Sequence, residues 1–161
     1  PEAQMDRFML KLLVDYPDWE DELKILEANA NVSVMHEVNP VVDAETIFRS
    51  RKLIDGIYLD DKLKSYLVDV VLATRDPSQC GASELAAFIR FGASPRATIS
   101  LALASKAVAF MHGRSFVTPQ DIKDVGLDVL RHRVIISYEA EAENVTSDDI
   151  IKKIFETVPV P

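Results

Sequence analysis

The chain has 161 residues, 48% of them hydrophobic, and a formal net charge of −8 from 18 Lys and Arg against 26 Asp and Glu. That length holds one domain with a sizeable core, or one domain plus a remnant of another. The acidic balance disfavours a nucleic-acid-binding domain, whose affinity rests on neutralising phosphates, and no run approaches the roughly 18 apolar residues of a membrane span. Cys80, the single cysteine, has no partner for an internal disulfide, which favours a reducing, cytoplasmic setting.

In chain order, Pro1-Glu2-Ala3-Gln4-Met5-Asp6-Arg7-Phe8 comes first, with no initiator Met and no capping residue before a helical-looking turn. A chain that starts this way is expected to be cut from a longer protein. Residues 8–14, Phe-Met-Leu-Lys-Leu-Leu-Val, are apolar and bounded by Asp15-Tyr16-Pro17, and predict a buried strand. A lone strand needs partners, which are expected upstream.

Asp18 is placed to cap a helix running to about Asn29, and residues 32–42, with Pro40 inside, predict a loop. Asp43 caps a helix with Ile47, Phe48 and Leu53 facing inward, closed by Gly56. From Asp60 or Asp61, Leu63, Tyr66, Leu67, Val70 and Val71 form one continuous helical stripe that ends near Thr74-Arg75-Asp76-Pro77. Residues 83–90 predict a short helix or turn. Ser94 as cap and Pro95 as first residue open a helix whose stretch Ile99 to Met111 is apolar on nearly every side, as expected of the centre of a bundle.

Thr118-Pro119-Gln120-Asp121 repeats the cap-plus-proline start, for a helix to about Arg131. Val134 to Tyr138 predicts a short extended segment. Thr146 caps a last helix with Ile150, Ile151, Ile154 and Phe155 inside, before Val158-Pro159-Val160-Pro161. The fold class is mostly α, a helical bundle behind a single strand.

Sequence alone offers no chemistry of its own. There is no G-x-x-x-x-G-K-[ST] loop to cradle phosphates and no G-x-S-x-G or H-E-x-x-H. His36, His112 and His132 have no metal-ligand spacing and read as helix-end or surface histidines, so no metal site is expected. Arg131-His132-Arg133 reads as cations on the negative end of a helix dipole, and Arg75 likewise as a helix-capping cation. Tyr66, Phe88, Phe110 and Phe155 read as core.

Four segments in order carry a resemblance to the MoxR-type AAA+ ATPases. They are Pro1 to Phe8, similar to the family's PEAQ-x-DRF; Thr74-Arg75; Gly92-Ala93-Ser94-Pro95-Arg96-Ala97; and Gly113-Arg114 through Val117-Thr118-Pro119-Gln120-Asp121 to Val129-Leu130-Arg131-His132-Arg133. The final Val-Pro-Val-Pro also resembles the family's ending. The resemblance implies two parts: residues 1–16, the C-terminal edge of an α/β nucleotide-binding core, with its last strand, and residues 17–161, a helical lid.

The resemblance further implies that Arg7 matches the arginine finger, which projects into a neighbouring subunit's nucleotide site, and that Arg96 matches sensor 2, with Ser94 and Pro95 near the ATP phosphates. The chemistry is coherent. Phosphoryl transfer spreads negative charge over the γ-phosphate oxygens, where a guanidinium supplies fixed donors, and the N–H groups of a helix N-terminus favour anions. By the same resemblance the parent protein uses ATP and Mg2+, assembles as a ring, expected to be a hexamer, and acts in chaperone-like remodelling or complex maturation. Its partners would be its own core, its neighbouring subunits and proteins with von Willebrand factor A domains, with no nucleic acid and no membrane. This chain alone is expected to hold no nucleotide tightly and to hydrolyse none. A free-standing helical protein-interaction module is the alternative; a helix-turn-helix nucleic-acid binder is disfavoured by the charge.

Overall fold

A computed structural model describes residues 2–30 and 38–161, without the side chains of residues 2 and 3. Its elements are α1 (Glu2–Met5), α2 (Trp19–Asn29), α3 (Ala44–Asp55), α4 (Asp61–Ala73), β1 (Ile89–Phe91), α5 (Pro95–Met111), α6 (Pro119–Leu130), β2 (Ile135–Ile136), α7 (Tyr138–Ala142) and α8 (Ser147–Thr157). Single 3-10 turns at Pro77–Cys80 and Ser83–Ala87 join α4 to β1. Residues 32–37 of the predicted loop, and His36 with them, lie outside the described residues.

The caps are where the sequence places them. Side chains of Asp18, Asp43, Asp60, Ser94, Thr118 and Thr146 each accept a backbone N–H of the first turn they precede. Such a cap stabilises a helix by about 1 kcal/mol relative to alanine. Thr118 with Asp121, and Thr146 with Asp149, complete reciprocal capping boxes.

The core lies between α4, α5, α6 and α8. The α4 stripe Leu63, Tyr66, Leu67, Val70 and Val71 is buried, as are Ile150, Ile151, Ile154 and Phe155 of α8. Phe88 and Phe110 pack against this core half-buried. Burial of each large side chain contributes about 2 kcal/mol. Where α6 crosses α8, Gly126 leaves room for the Phe155 ring, which a Cβ would approach to 2.3 Å.

Four expectations are corrected. Residues 8–14 form no strand: among the described residues their one backbone hydrogen bond to the bundle is Lys11 N–H to Asp128 O at 2.8 Å. The strands are instead β1 and β2, antiparallel, with Ile89 opposite Ile136 and Phe91 opposite Ile135; β2 lies in the predicted extended segment, and β1 begins at Ile89, at the end of a stretch whose Ser83–Ala87 part is the expected short helix. No residue of α2 or α3 is buried, and Ile47, Phe48 and Leu53 are exposed rather than inward. Finally, α5 is central on one side only. Leu101, Ala104 and Ala109 are buried while Ile99, Leu103 and Met111 are exposed; α4 and α6 make the main contacts with α5, and α3 a smaller one.

Candidate functional site

The site grows from the end of α4. Thr74 Oγ1 donates to Val71 O at 2.6 Å and accepts the Ala93 N–H at 2.9 Å. Arg75 Nε donates to Ala93 O at 2.8 Å, so Arg75 reaches across to the turn before α5 rather than capping its own helix. Gly92 is required by space, since a Cβ there would stand 2.3 Å from Thr74 O. These contacts fix where α5 begins, and therefore where Ser94, Pro95 and Arg96 sit.

Ser94 caps α5, its Oγ accepting the Arg96 N–H at 3.2 Å. The same hydroxyl donates toward the Asp6 carboxylate, 3.0 and 2.9 Å from its two oxygens. Arg96 Nη1 lies 3.5 Å from Asp6 Oδ2, with the Arg96 side chain 55% exposed. The acid that meets Arg96 is thus Asp6. No acidic residue occupies the first turn of α5 itself; the carboxylate at its positive end is supplied from 88 residues earlier. Pro95 is exposed at the helix start.

Asp6 is also held by Arg133, and the 131–133 triplet does more than balance a helix dipole. Arg133 Nε donates to Asp6 Oδ1 at 3.2 Å, Nη2 donates to Asp6 O at 3.2 Å and Phe8 O at 2.6 Å, and Nη1 donates to Met9 O at 3.1 Å. The guanidinium also contacts Val129 O and Ser100 Oγ. Burial pushes this guanidinium's pKa below its usual value, and Asp6 acts against that shift. His132 is buried, not at the surface, with Nε2 3.0 Å from Phe8 O. A carbonyl only accepts, so Nε2 carries the hydrogen, and the buried Nδ1 has no partner among the described residues. Burial, with Arg133 and Lys11 nearby, pushes the His132 pKa down. Arg131 pairs with Asp128 at 2.7 Å and Asp148 at 3.0 Å, and donates to Lys11 O at 3.2 Å.

Arg7 sits in this clamped segment, its side chain exposed and without an ion pair among the described residues; its N–H bonds Gln4 O at 3.1 Å. Asp6, the residue before Arg7, is thus the carboxylate that Arg96 meets. Sequence reasoning named both arginines and missed Asp6, His132 and Arg133 as groups that join the segment bearing Arg7 to the bundle. Asp6 stood in a quoted motif, but nothing local signals contacts made across such separations. No group of His, Cys, Asp or Glu among the described residues is arranged to hold a metal ion.

This helical arrangement defines an AAA lid domain, and residues 82–154 match the family of that description. The chain belongs to the MoxR branch of the AAA+ ATPases. Over its whole length it is 34% identical to "Chaperone MoxR1" of Mycobacterium tuberculosis and 30% identical to "Protein MoxR" of Paracoccus denitrificans, covering 42% and 51% of those proteins. It also superposes on the crystal structure of a protein from Cytophaga hutchinsonii described as a candidate ATPase, with a TM-score of 0.93 and 38% identity, over 100% of this chain and 49% of that one. The chain spans about half the length of the curated relatives it matches.

Proposed function

We propose that this chain is the nucleotide-sensing lid portion of a cytoplasmic AAA+ ATPase. The whole protein would bind and hydrolyse ATP with Mg2+ in a ring, a hexamer by the family resemblance. It would couple hydrolysis to chaperone-like remodelling or maturation of protein complexes, with von Willebrand factor A-domain proteins as a partner class. Within it, Arg7 is the arginine finger acting on a neighbouring subunit's nucleotide, Arg96 is sensor 2, and Ser94 and Pro95 shape the helix end that faces the phosphates. Residues 1–16 belong with the nucleotide-binding core and 17–161 with the lid.

The observation that supports the reading is that Asp6, next to Arg7 in the chain, meets both Ser94 and Arg96 at the start of α5. Arg7 is exposed and unpaired among the described residues, and Arg96 is 55% exposed against a single carboxylate. Each remains available to an anion approaching from outside, and the start of α5 adds backbone N–H groups and the positive dipole end. Binding of the γ-phosphate at Arg96 would exchange the Asp6 carboxylate for a stronger acceptor and shift α5 with the lid.

The test is ATP hydrolysis by the full-length protein. Arg7→Ala should abolish turnover while leaving affinity for ATP within about twofold of wild type. A variant that hydrolyses at the normal rate removes Arg7 from the reaction. Arg96→Ala should slow hydrolysis or blunt the ring's response to ATP.

A further inference from the structure

Resting on the reading of Arg7 given above, we propose that Arg133 is the positioning residue for Arg7, acting through the backbone on both sides of it. The Arg7 side chain makes no ion pair among the described residues, so its direction is set by the main chain that carries it. That main chain forms no strand and residues 7–10 are exposed. His132 holds Phe8 O at 3.0 Å and Asp128 O accepts the Lys11 N–H at 2.8 Å, but among these groups Arg133 alone bonds a carbonyl on each side of Arg7. One guanidinium takes the carbonyl oxygens that flank Arg7, Asp6 O at 3.2 Å and Phe8 O at 2.6 Å, and then Met9 O at 3.1 Å, while its Nε holds the Asp6 carboxylate at 3.2 Å.

This use of the side chain depends on arginine chemistry. Five donors in a rigid plane can bind several carbonyls at fixed angles, whereas the three donors of lysine turn about one point. Arg133 is itself immobilised: its side chain is 1% exposed and it also contacts Ser100 Oγ and Val129 O. The anchor therefore belongs to the bundle, at the end of α6, and the anchored atoms belong to the segment that presents Arg7. Because Ser94 and Arg96 meet the same Asp6 carboxylate, the guanidinium also registers the Arg7 segment against the start of α5. A misplacement of about 1 Å in a group that must meet a transferring phosphoryl costs on the order of a hundredfold in rate.

The experiment is single-turnover hydrolysis of radiolabelled ATP by the full-length protein, which keeps slow variants measurable, with affinity read from a fluorescent ATP analogue and folding from a thermal melt. Arg133→Lys should lower the rate tenfold or more, leave nucleotide affinity within twofold, and remain folded at the assay temperature. In an Arg7→Ala background the same substitution should change the residual rate by less than twofold, because its effect passes through Arg7. If folded Arg133→Lys hydrolyses at the wild-type rate, or if its effect multiplies that of Arg7→Ala, the positioning role is overturned while the finger stands. If Arg7→Ala itself hydrolyses normally, both the finger reading and this role fall. Should Arg133→Lys not fold, Asp6→Asn removes one anchor and keeps the carbonyl bonds. It should slow the rate threefold or more, an effect lost in the Arg7→Ala background; a wild-type rate for folded Asp6→Asn overturns the proposal.

Discussion

Gly92 passes so close to Thr74 that a Cβ on the glycine would lie 2.3 Å from the Thr74 carbonyl oxygen and 2.8 Å from Arg75 Cα. Both obstacles are backbone at the end of α4, so neither swings aside. The contact fixes the distance between α4 and the start of α5, which sets where Ser94 and Arg96 meet Asp6. Gly92→Ala is expected to cost at least about 2 kcal/mol, in the range of an overpacked core. It should also slow hydrolysis in the full-length protein by displacing Arg96. A denaturant melt checks the first effect; an unchanged midpoint would mean that the α4 end yields more readily than its burial implies.

What was legible in the sequence was local. The caps at Asp43, Ser94 and Thr118 and the stripes of α4 and α8 follow from residue types within one or two turns. An amphipathic face, however, says nothing about which surface covers it, so Ile47 and Phe48 of α3 read as inward and are exposed. An apolar run such as residues 8–14 reads as a strand whether or not a neighbour supplies the ladder. Gly92 was visible as a glycine, but the close approach to Thr74 that requires it was not. The Asp6–Arg133 contact spans 127 residues and leaves no periodic trace.

Acid should unfasten the start of α6. Burial alone would raise the Asp121 carboxyl, but the Arg114 guanidinium, at 2.7 Å from Oδ2, and the Thr118 N–H, also at 2.7 Å, outweigh it and lower the pKa from 3.8 to about 2. The unfolded chain therefore takes up this proton first as pH falls. The stabilisation is complete above 3.8 and is lost as pH drops from there through about 2, a loss of about 2 kcal/mol at about 1.36 kcal/mol per pH unit. Asp121→Asn should be less stable than wild type at pH 7, with the gap narrowing through that window. A constant gap would mean the carboxylate's charge is not what Arg114 stabilises.

His132 sets a second dependence, in a higher window. It is buried and neutral with Nε2–H on Phe8 O, and its pKa is pushed below 6.5. As pH falls below 6.5 the unfolded chain protonates before the folded one, so stability declines from there down to the folded pKa and is unaffected above. Protonation would also place a third positive group beside Arg133 and Lys11, directly under the segment bearing Arg7. Stability measured from pH 8 to 5 should fall for wild type and stay flatter for His132→Gln. Identical slopes would assign the decline to other groups.

The two sides of α5 should respond oppositely to charge. Leu101 is fully buried and Ile99, two residues earlier on the same helix, is 61% exposed. Leu101→Asp removes a packed side chain and places a carboxylate in the buried stripe of α5. An unpaired charge buried there costs more than about 4 kcal/mol, enough to abolish the helical spectrum of the bundle. Ala104→Asp, also in the buried stripe, should behave alike. Ile99→Asp adds the same charge to solvent near the positive end of the helix and should change stability by less than about 1 kcal/mol. Circular dichroism on the three variants separates the cases. A native spectrum for Leu101→Asp would mean that α5 is not the element around which α4, α6 and α8 assemble.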